Sequence, residues 1–258
     1  MKVRLIQTII DKLYPKGLIV TNELEAKIYV QPRDYIGWAI LSTGSYEGFT
    51  LALATELLKK GGTFLDIGSN FGLFTCSVGM IPKTECYCVE PSAREFLRLQ
   101  ENIALNPGIR AKLFNLALDN SVKLLELEDF NPGNSGTVRI LLEDKYSNSS
   151  RHTVAATTLQ ELLSHTKVTN ITLMKIDVEG YELPVLEGID WQGSLRPRNI
   201  ITEFTDYSSR VKGIGRQSLL EFFTERGYEG FTVDGKPLSL EQNPLEDNAW
   251  FRDITYCH

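Results

Sequence analysis

Residues 62–75 read GTFLDIGSNFGLFT. Thr63 to Ile67 is a largely apolar run with one acid, Asp66. It breaks at Gly68-Ser69-Asn70-Phe71-Gly72, and a second apolar stretch starts at Leu73. The pattern predicts a buried strand, a tight turn and a helix. Glycine at 68 and 72 permits positive φ and lets a ligand approach backbone that carries no Cβ. The helix that follows is expected to offer unpaired N–H groups to a polar or anionic group. The spacing Gly-x-x-x-Gly lacks the second glycine of the Gly-x-Gly-x-x-Gly turn that cradles a dinucleotide pyrophosphate.

About twenty residues downstream, an interval that suits a ribose-binding acid, a predicted strand Glu85–Val89 ends in Glu90. Its two carboxylate oxygens can accept from two adjacent hydroxyls. Asp66 would repel a pyrophosphate but accept hydrogen bonds from an ammonium, directly or through water. Together the two acids and the turn favour a zwitterionic nucleoside such as S-adenosylmethionine over NAD. They also read as solvated strand-end acids beside a glycine turn.

Working outward, Gly44-Ser45-Tyr46-Glu47 precedes an apolar helix, Phe49 to Leu58, ended by Gly61-Gly62. Tyr46 and Glu47 read as a packed aromatic and a helix N-terminal acid. Ser92-Ala93-Arg94-Glu95 is a capping box opening a helix with a Phe96, Leu99, Ile103 stripe. A third strand is expected at Ala111–Leu118, with Ala117 and Asp119 near its carboxyl end. From Val122 to Leu142 two apolar runs flank Asn131-Pro132-Gly133-Asn134-Ser135-Gly136, which predicts a hairpin-like insertion. Glu143–Arg151 reads as a mobile loop able to gate substrate. Thr158-Leu159-Gln160-Glu161 opens a further helix through His165, Ile171–Asp177 is a strand, and Pro184 falls in the first turn of the next helix. Arg198–Thr205 is a strand carrying Glu203, Ser218–Glu221 caps a helix ended by Gly227, and Tyr228–Val233 and Ala249–Cys257 are two final strands. Strands alternating with helices and ending in two successive strands imply a doubly wound, mostly parallel α/β sheet with one antiparallel strand near an edge. Residues 1–43, a short amphipathic helix and a small strand or hairpin around Leu24–Val30, are read as an N-terminal cap on a domain spanning 44–258.

The run Lys175-Ile176-Asp177-Val178-Glu179-Gly180 places Lys175, Asp177 and Glu179 on one face if the extended form persists to Glu179. Ionisable groups on an otherwise apolar strand are costly to bury unless paired or used. For Lys175 a salt bridge with helix-cap acids is the expected role. Asp177 and Glu179, with Glu203 at the neighbouring strand end, suit a general base, since gathered carboxylates raise one another's pKa. They also offer oxygen ligands to a hard divalent cation, although no metal site is predicted. His152 and His165 are alternative bases but sit at no strand carboxyl end.

FLDIGSNFGLFT, VEP at Val89–Pro91 and LMKIDVEGYELPVLEG at Leu173–Gly188 together resemble the FkbM family of S-adenosylmethionine-dependent methyltransferases. The resemblance spans roughly Gly44 to Phe204. It implies a Rossmann-like methyltransferase fold and transfer to a hydroxyl of a sugar, glycolipid or polyketide-type natural product. It also implies cofactor contacts from Tyr46, Glu47, Asp66, Gly68, Asn70, Phe71, Gly72, Glu90, Ala117 and Asp177, and catalysis by Asp177, Glu179 and Glu203. Adenine is expected beside Ala117, and Asn134, Gly136 and Thr137 near the active site. Family members commonly carry Leu-Asp where this chain has Leu159-Gln160.

Composition agrees with a globular enzyme: 42% hydrophobic, 23% charged, and no apolar run near the ~20 residues that span a bilayer. A formal charge of −6 without a basic block argues against a nucleic-acid partner. Four cysteines without metal-ligand spacing point to small core residues and a reducing, cytoplasmic setting. No Gly-x-Ser-x-Gly, P-loop or His-Glu-x-x-His occurs. The Asn/Asp-Pro-Pro-aromatic motif of amino methyltransferases is also missing, which favours oxygen over nitrogen as acceptor. An NAD-dependent oxidoreductase and a non-catalytic nucleoside-binding module are the competing readings.

Overall fold

The structure is a computed structural model and describes residues 2–129, 138–141, 150–206, 215–241 and 247–256. The chain opens with helix α1 (Lys2–Leu13), the hairpin strands β1 (Leu18–Thr21) and β2 (Lys27–Val30), and helices α2 (Tyr35–Thr43) and α3 (Gly48–Leu57). The central unit follows as β3 (Gly62–Ile67), α4 (Leu73–Gly79), β4 (Thr84–Val89), α5 (Ala93–Ala104) and β5 (Arg110–Phe114). Next come β6 (Ala117–Leu118), β7 (Lys123–Asp129), β8 (Val138–Ile140), β9 (Ser150–Thr157) and α6 (Leu159–Ser164). The C-terminal part holds β10 (Leu173–Ile176), α7 (Glu182–Glu187), β11 (Asn199–Glu203), α8 (Arg216–Glu225), β12 (Tyr228–Thr232) and β13 (Asn248–Asp253).

Seven strands form one sheet in the order β12-β13-β11-β10-β3-β4-β5, with β13 antiparallel to both neighbours and every other pairing parallel. This is the expected doubly wound layout with one antiparallel strand near an edge. Strand order reverses between β3 and β10, and open α/β sheets bind ligands at the crevice outside the strand ends at such a point. Alternation along β3 feeds two cores. Leu65 and Ile67 join Met174, Ile176 and Ile200 on one face, and Phe64 joins Leu173, Cys86 and Cys88 on the other. Cys86 and Cys88 are the small core residues expected of them.

The N-terminal hairpin packs through Ala26, Ile28 and Val30 onto Phe71 and Cys76. The edge of β2 that faces away from β1 is completed by side chains of α5 and of the turn just after it. Asn102 accepts from the Tyr29 amide at 2.7 Å and donates to the Phe71 carbonyl at 2.8 Å, and Asn106 accepts from and donates to Lys27 at 2.8 and 2.7 Å. Asn102→Ala would leave two buried backbone groups unpaired, a loss of about 2–4 kcal/mol. In urea denaturation this appears as a lower midpoint with an unchanged slope.

The structure corrects several expectations. The strand read over Ala111–Leu118 is broken: Asn115 donates its side-chain amide to the carbonyls of Glu90 and Pro91, and β6 leaves the main sheet. It joins a second sheet of order β6-β9-β7-β8, which packs Leu118, Leu127 and Val154 on the main core. Ser150 and Arg151, read as the end of a loop, start β9, which is zipped to β7 from Ser150↔Asp129 to Ala156↔Lys123. The rest of that loop, and the hairpin tip with Asn134, Gly136 and Thr137, lie outside the described residues. The hairpin itself is present as the antiparallel β7–β8 pair.

Only half of the first capping box forms. Ser92 accepts from the Glu95 amide at 3.5 Å, but the Glu95 carboxylate turns to Arg94 and Arg98. α8 starts two residues before Ser218, with Gly215 as its N-cap. The region before Gly44 holds a whole helix, α2, bounded by Asp34 at its N-cap and Gly44 at its C-cap, which the sequence reading did not mark.

Candidate functional site

At the carboxyl end of β3 the chain turns with φ of +80° at Gly68, +50° at Asn70 and +87° at Gly72. A Cβ on Gly68 would lie 1.8 Å from the Asp177 carbonyl oxygen, because the strand reversal brings this turn against the end of β10. Glycine is required there by space as well as by φ.

The turn's amides are spent internally. Gly68 and Ser69 donate to the Val89 carbonyl, Asn70 to Glu90 Oε2 at 2.7 Å, Phe71 to Asn70 Oδ1 and Gly72 to the Ser69 carbonyl. While the amides of Leu73 and Phe74 that open α4 donate to none of these acceptors, the turn's own five amides are not offered. Without them the turn has no anion cradle for a pyrophosphate. Glu90 also accepts from the Ser92 amide at 2.7 Å through Oε1, so the carboxylate is held rigidly at the β4 tip. Burial pushes Glu90 up to about 8, against the lowering effect of those two amides.

Asp66 is 2% exposed and accepts from the Thr75 hydroxyl at 2.5 Å. Burial raises its pKa, and Lys175, its register partner on β10, opposes the rise. Lys175 is 3% exposed. Its ammonium donates to Asp177 Oδ2 at 2.7 Å, approaches Glu47 at 3.9 Å and lies 4.5 Å from the Phe74 ring centroid. Burial alone would lower the Lys175 pKa, but Asp177, Glu47 and Asp66 together hold it above its ordinary value. The expected salt bridge is thus present, with Glu47 standing at the N-cap of α3.

β10 ends at Ile176, so the extended form does not reach Glu179, whose φ of +54° marks a left-handed turn. The turn is tied down by Glu182, which accepts from the amides of Val178 and Gly180 at 3.3 and 3.2 Å. Among the described residues none donates a hydrogen bond to the Glu179 carboxylate. Burial, then Asp177 and Glu203, push it up to about 9, while burial and Asp177 push Glu203 up to about 6. Tyr181, just beyond, donates to Asp119 at 2.9 Å and anchors this loop to the second sheet.

These groups share one cavity of about 400 Å³. Tyr46, Glu47, Asp66, Gly68, Asn70, Phe71, Glu90, Ala117, Asp177, Glu179 and Glu203 all line it, whereas Gly72 lies behind the wall as the N-cap of α4. His165 is exposed at the C-cap of α6 beside Glu161, and exposed His152 on β9 does not line the cavity.

Ser69, Tyr35 and Arg139 are among the wall residues that sequence reasoning missed. The Ser69 hydroxyl is buried with no hydrogen-bond partner among the described residues. Tyr35 meets the Tyr46 ring edge-on at 6.4 Å, and Arg139 on β8 is ion-paired to Glu128 at 2.7 Å. Ser69 sat in the turn motif and was detectable there; Tyr35 and Arg139 reach the cavity only through tertiary packing. No group of three or more metal-ligating side chains occurs among the described residues.

Glu182, like Glu90, is raised to about 8, chiefly by burial and then by Glu203. In the unfolded chain these glutamates ionise near 4.5. Between about pH 5 and 9 the unfolded state therefore releases protons that the folded state keeps, and stability falls as pH rises. Asp253, held low despite burial by Arg196 and Thr255, acts only below its ordinary 3.8 and does not reverse the slope in this window. The melting temperature of the ligand-free protein is expected to be lower at pH 8.5 than at pH 5.5; a flat or rising profile would contradict the burial of these acids.

The methyltransferase FkbM domain matches this chain over residues 66–229. The hexuronic acid methyltransferase AglP of Haloferax volcanii is 29% identical over 139 residues, 54% of this chain and 54% of that protein. Methyltransferase sdnD of Sordaria araneosa is 26% identical over 167 residues, 54% of this chain and 64% of that one. The chain thus matches little more than half the length of these curated relatives. A putative caffeoyl-CoA O-methyltransferase from Staphylococcus aureus superposes with a TM-score of 0.50 at 12% identity, covering 96% of this chain and 99% of the other. That likeness is one of fold, the class I methyltransferase sheet.

Proposed function

The chain belongs to the methyltransferase FkbM domain family, and on that premise we propose that it is an S-adenosylmethionine-dependent methyltransferase acting on a hydroxyl of a small molecule. One observation carries the reading. A single cavity at the sheet's reversal point joins carboxylates at the tips of β3 and β4 to a group of half-buried acids at the ends of β10 and β11.

The cofactor's residues are proposed as Asp66 and Glu90, the glycine turn with Ser69, Asn70 and Phe71, and Tyr46, Glu47, Ala117 and Asp177. Two features of the site fit it. Gly68 lines the cavity with backbone atoms, and the Ser69 hydroxyl has a buried oxygen awaiting a partner. The consumed turn amides weigh against NAD. When bound, S-adenosylmethionine supplies an electrophilic methyl carbon on a cationic sulfur.

The chain's own part is positioning and proton transfer. Lys175 engages Asp177. Glu203 orients the Glu179 loop and keeps the Glu179 carboxyl basic. Glu179, once ionised, takes the proton of the acceptor hydroxyl.

The acceptor is proposed as a sugar, glycolipid or polyketide-type molecule. The name of the archaeal relative makes a uronic acid a first compound to try, and Arg139 supplies a cation in the cavity wall. Buried free thiols at Cys76, Cys86 and Cys88 support a reducing, cytoplasmic setting.

Thermal-shift titration separates the cofactor classes. S-adenosylhomocysteine at about 100 times its Kd should stabilise the protein by roughly 2.7 kcal/mol, and NAD should give no shift. The opposite ranking would sink the proposal in favour of a dehydrogenase.

A further inference from the structure

Helix α1 is amphipathic, and the half-buried side on which it meets the body carries Gln7 and Asp11 beside Ile10. Gln7 donates to the Pro32 carbonyl at 2.9 Å and Asp11 pairs with Arg33 at 3.4 Å, while Arg33 also donates to the Pro15 carbonyl at 2.7 Å. The apolar stripe points elsewhere. Ile6, Ile9 and Leu13, spaced three and four residues apart, are 50%, 48% and 68% exposed, and Tyr14, next in the chain, and Ile19 on β1 are also exposed, at 49% and 52%. An amphipathic helix that only needed to close the fold would bury this stripe.

The charge of the segment is also out of keeping with the rest. Residues 1–16 hold Lys2, Arg4, Lys12 and Lys16 against the single acid Asp11, in a chain whose formal charge is −6. Lys12, exposed and next to Leu13 in the chain, borders the apolar stripe. Basic side chains flanking an exposed Ile/Leu stripe with a tyrosine at its edge are the pattern of a helix lying in the headgroup region of an anionic bilayer. Arg33, which fastens α1, is two residues from Tyr35 in the cavity wall. No helix among the described residues is long and apolar enough to cross a membrane, so the mode is surface attachment.

We propose that α1 docks the protein on an anionic lipid surface, with Ile6, Ile9, Leu13, Tyr14 and Ile19 inserted among the acyl chains' upper carbons and the flanking lysines at the headgroups. This inference does not rest on the methyl-transfer reading.

Flotation of the full chain with vesicles tests it. Wild type should float with vesicles containing about 30 mol % phosphatidylglycerol and not with pure phosphatidylcholine. Binding should weaken at high salt. Ile9→Glu combined with Leu13→Glu should lower partitioning about tenfold or more with an unchanged thermal melt, as both sites are exposed. Leu13→Trp, which keeps the stripe apolar, should blue-shift its fluorescence on anionic vesicles. Absence of flotation, equal flotation of the double variant, or no blue shift would overturn the proposal. So would a self-associated species, dissolved by the double variant, that fails to float.

Discussion

Glu179→Gln is expected to lower turnover by about 10²–10⁴-fold, the usual worth of a positioned general base. Affinity for S-adenosylhomocysteine should change by less than about threefold, or ~0.7 kcal/mol. The choice of Glu179 over its neighbours follows from their partners. Asp177 is engaged by the Lys175 ammonium at 2.7 Å, and Glu203 accepts from Thr205 at 2.9 Å.

The pH dependence gives an independent sign. Burial, then Asp177 and Glu203, hold Glu179 at about 9 in the free protein. Only the ionised form accepts a proton, so kcat/KM should climb with pH towards that value. The climb should vanish in the glutamine variant. If the variant instead binds the demethylated cofactor poorly, Glu179 belongs to the cofactor pocket and another acid is the base.

Gly68→Ala is the largest expected effect on folding. The new methyl would enter a left-handed turn at φ +80° and fall 1.8 Å from the Asp177 carbonyl oxygen, a contact with backbone that no rotamer relieves. Conformational strain of about 1–2 kcal/mol and overpacking of about 1–3 kcal/mol add to roughly 2–5 kcal/mol. In a chain of this length that lowers the melting temperature by about 10 °C. Gly235→Ala is the control: its φ is +84°, but nothing lies within 4 Å of the added Cβ. It should cost only the strain, about 1 kcal/mol. Similar losses at the two positions would mean that the β3 turn and the end of β10 are not in contact.

The parts of the fold readable from sequence were those where one local signal sufficed. The β3–α4 unit announced itself by an apolar run and two glycines, and the cavity side chains there fall on the strand tips that the pattern marks. Asp177 and Glu203 were legible for the same reason. The second sheet was not. β9 begins with Ser150, Arg151, His152 and Thr153, a polar stretch with no period-two signal, and becomes a strand only because β7 pairs with it. The break at Asn115 was hidden because Leu113, Phe114, Leu116 and Leu118 read as one apolar run, and a side-chain amide bonding to Glu90 and Pro91 decides the matter. The glycine turn did not announce where its own amides go: the Val89 carbonyl and the Glu90 carboxylate, twenty or so residues away, take three of them.

The central claim is that a sulfonium nucleoside lies across the tips of β3 and β4, with its amino-acid end towards Asp66 and its ribose towards Glu90. Diffraction from crystals soaked in S-adenosylhomocysteine tests it most directly. The account predicts density along Gly68–Phe71 with the ribose hydroxyls at the Glu90 carboxylate and the sulfur facing the Asp177–Glu179 loop. A crevice left empty at saturating ligand, or a ligand bound with Glu90 turned away, would contradict it.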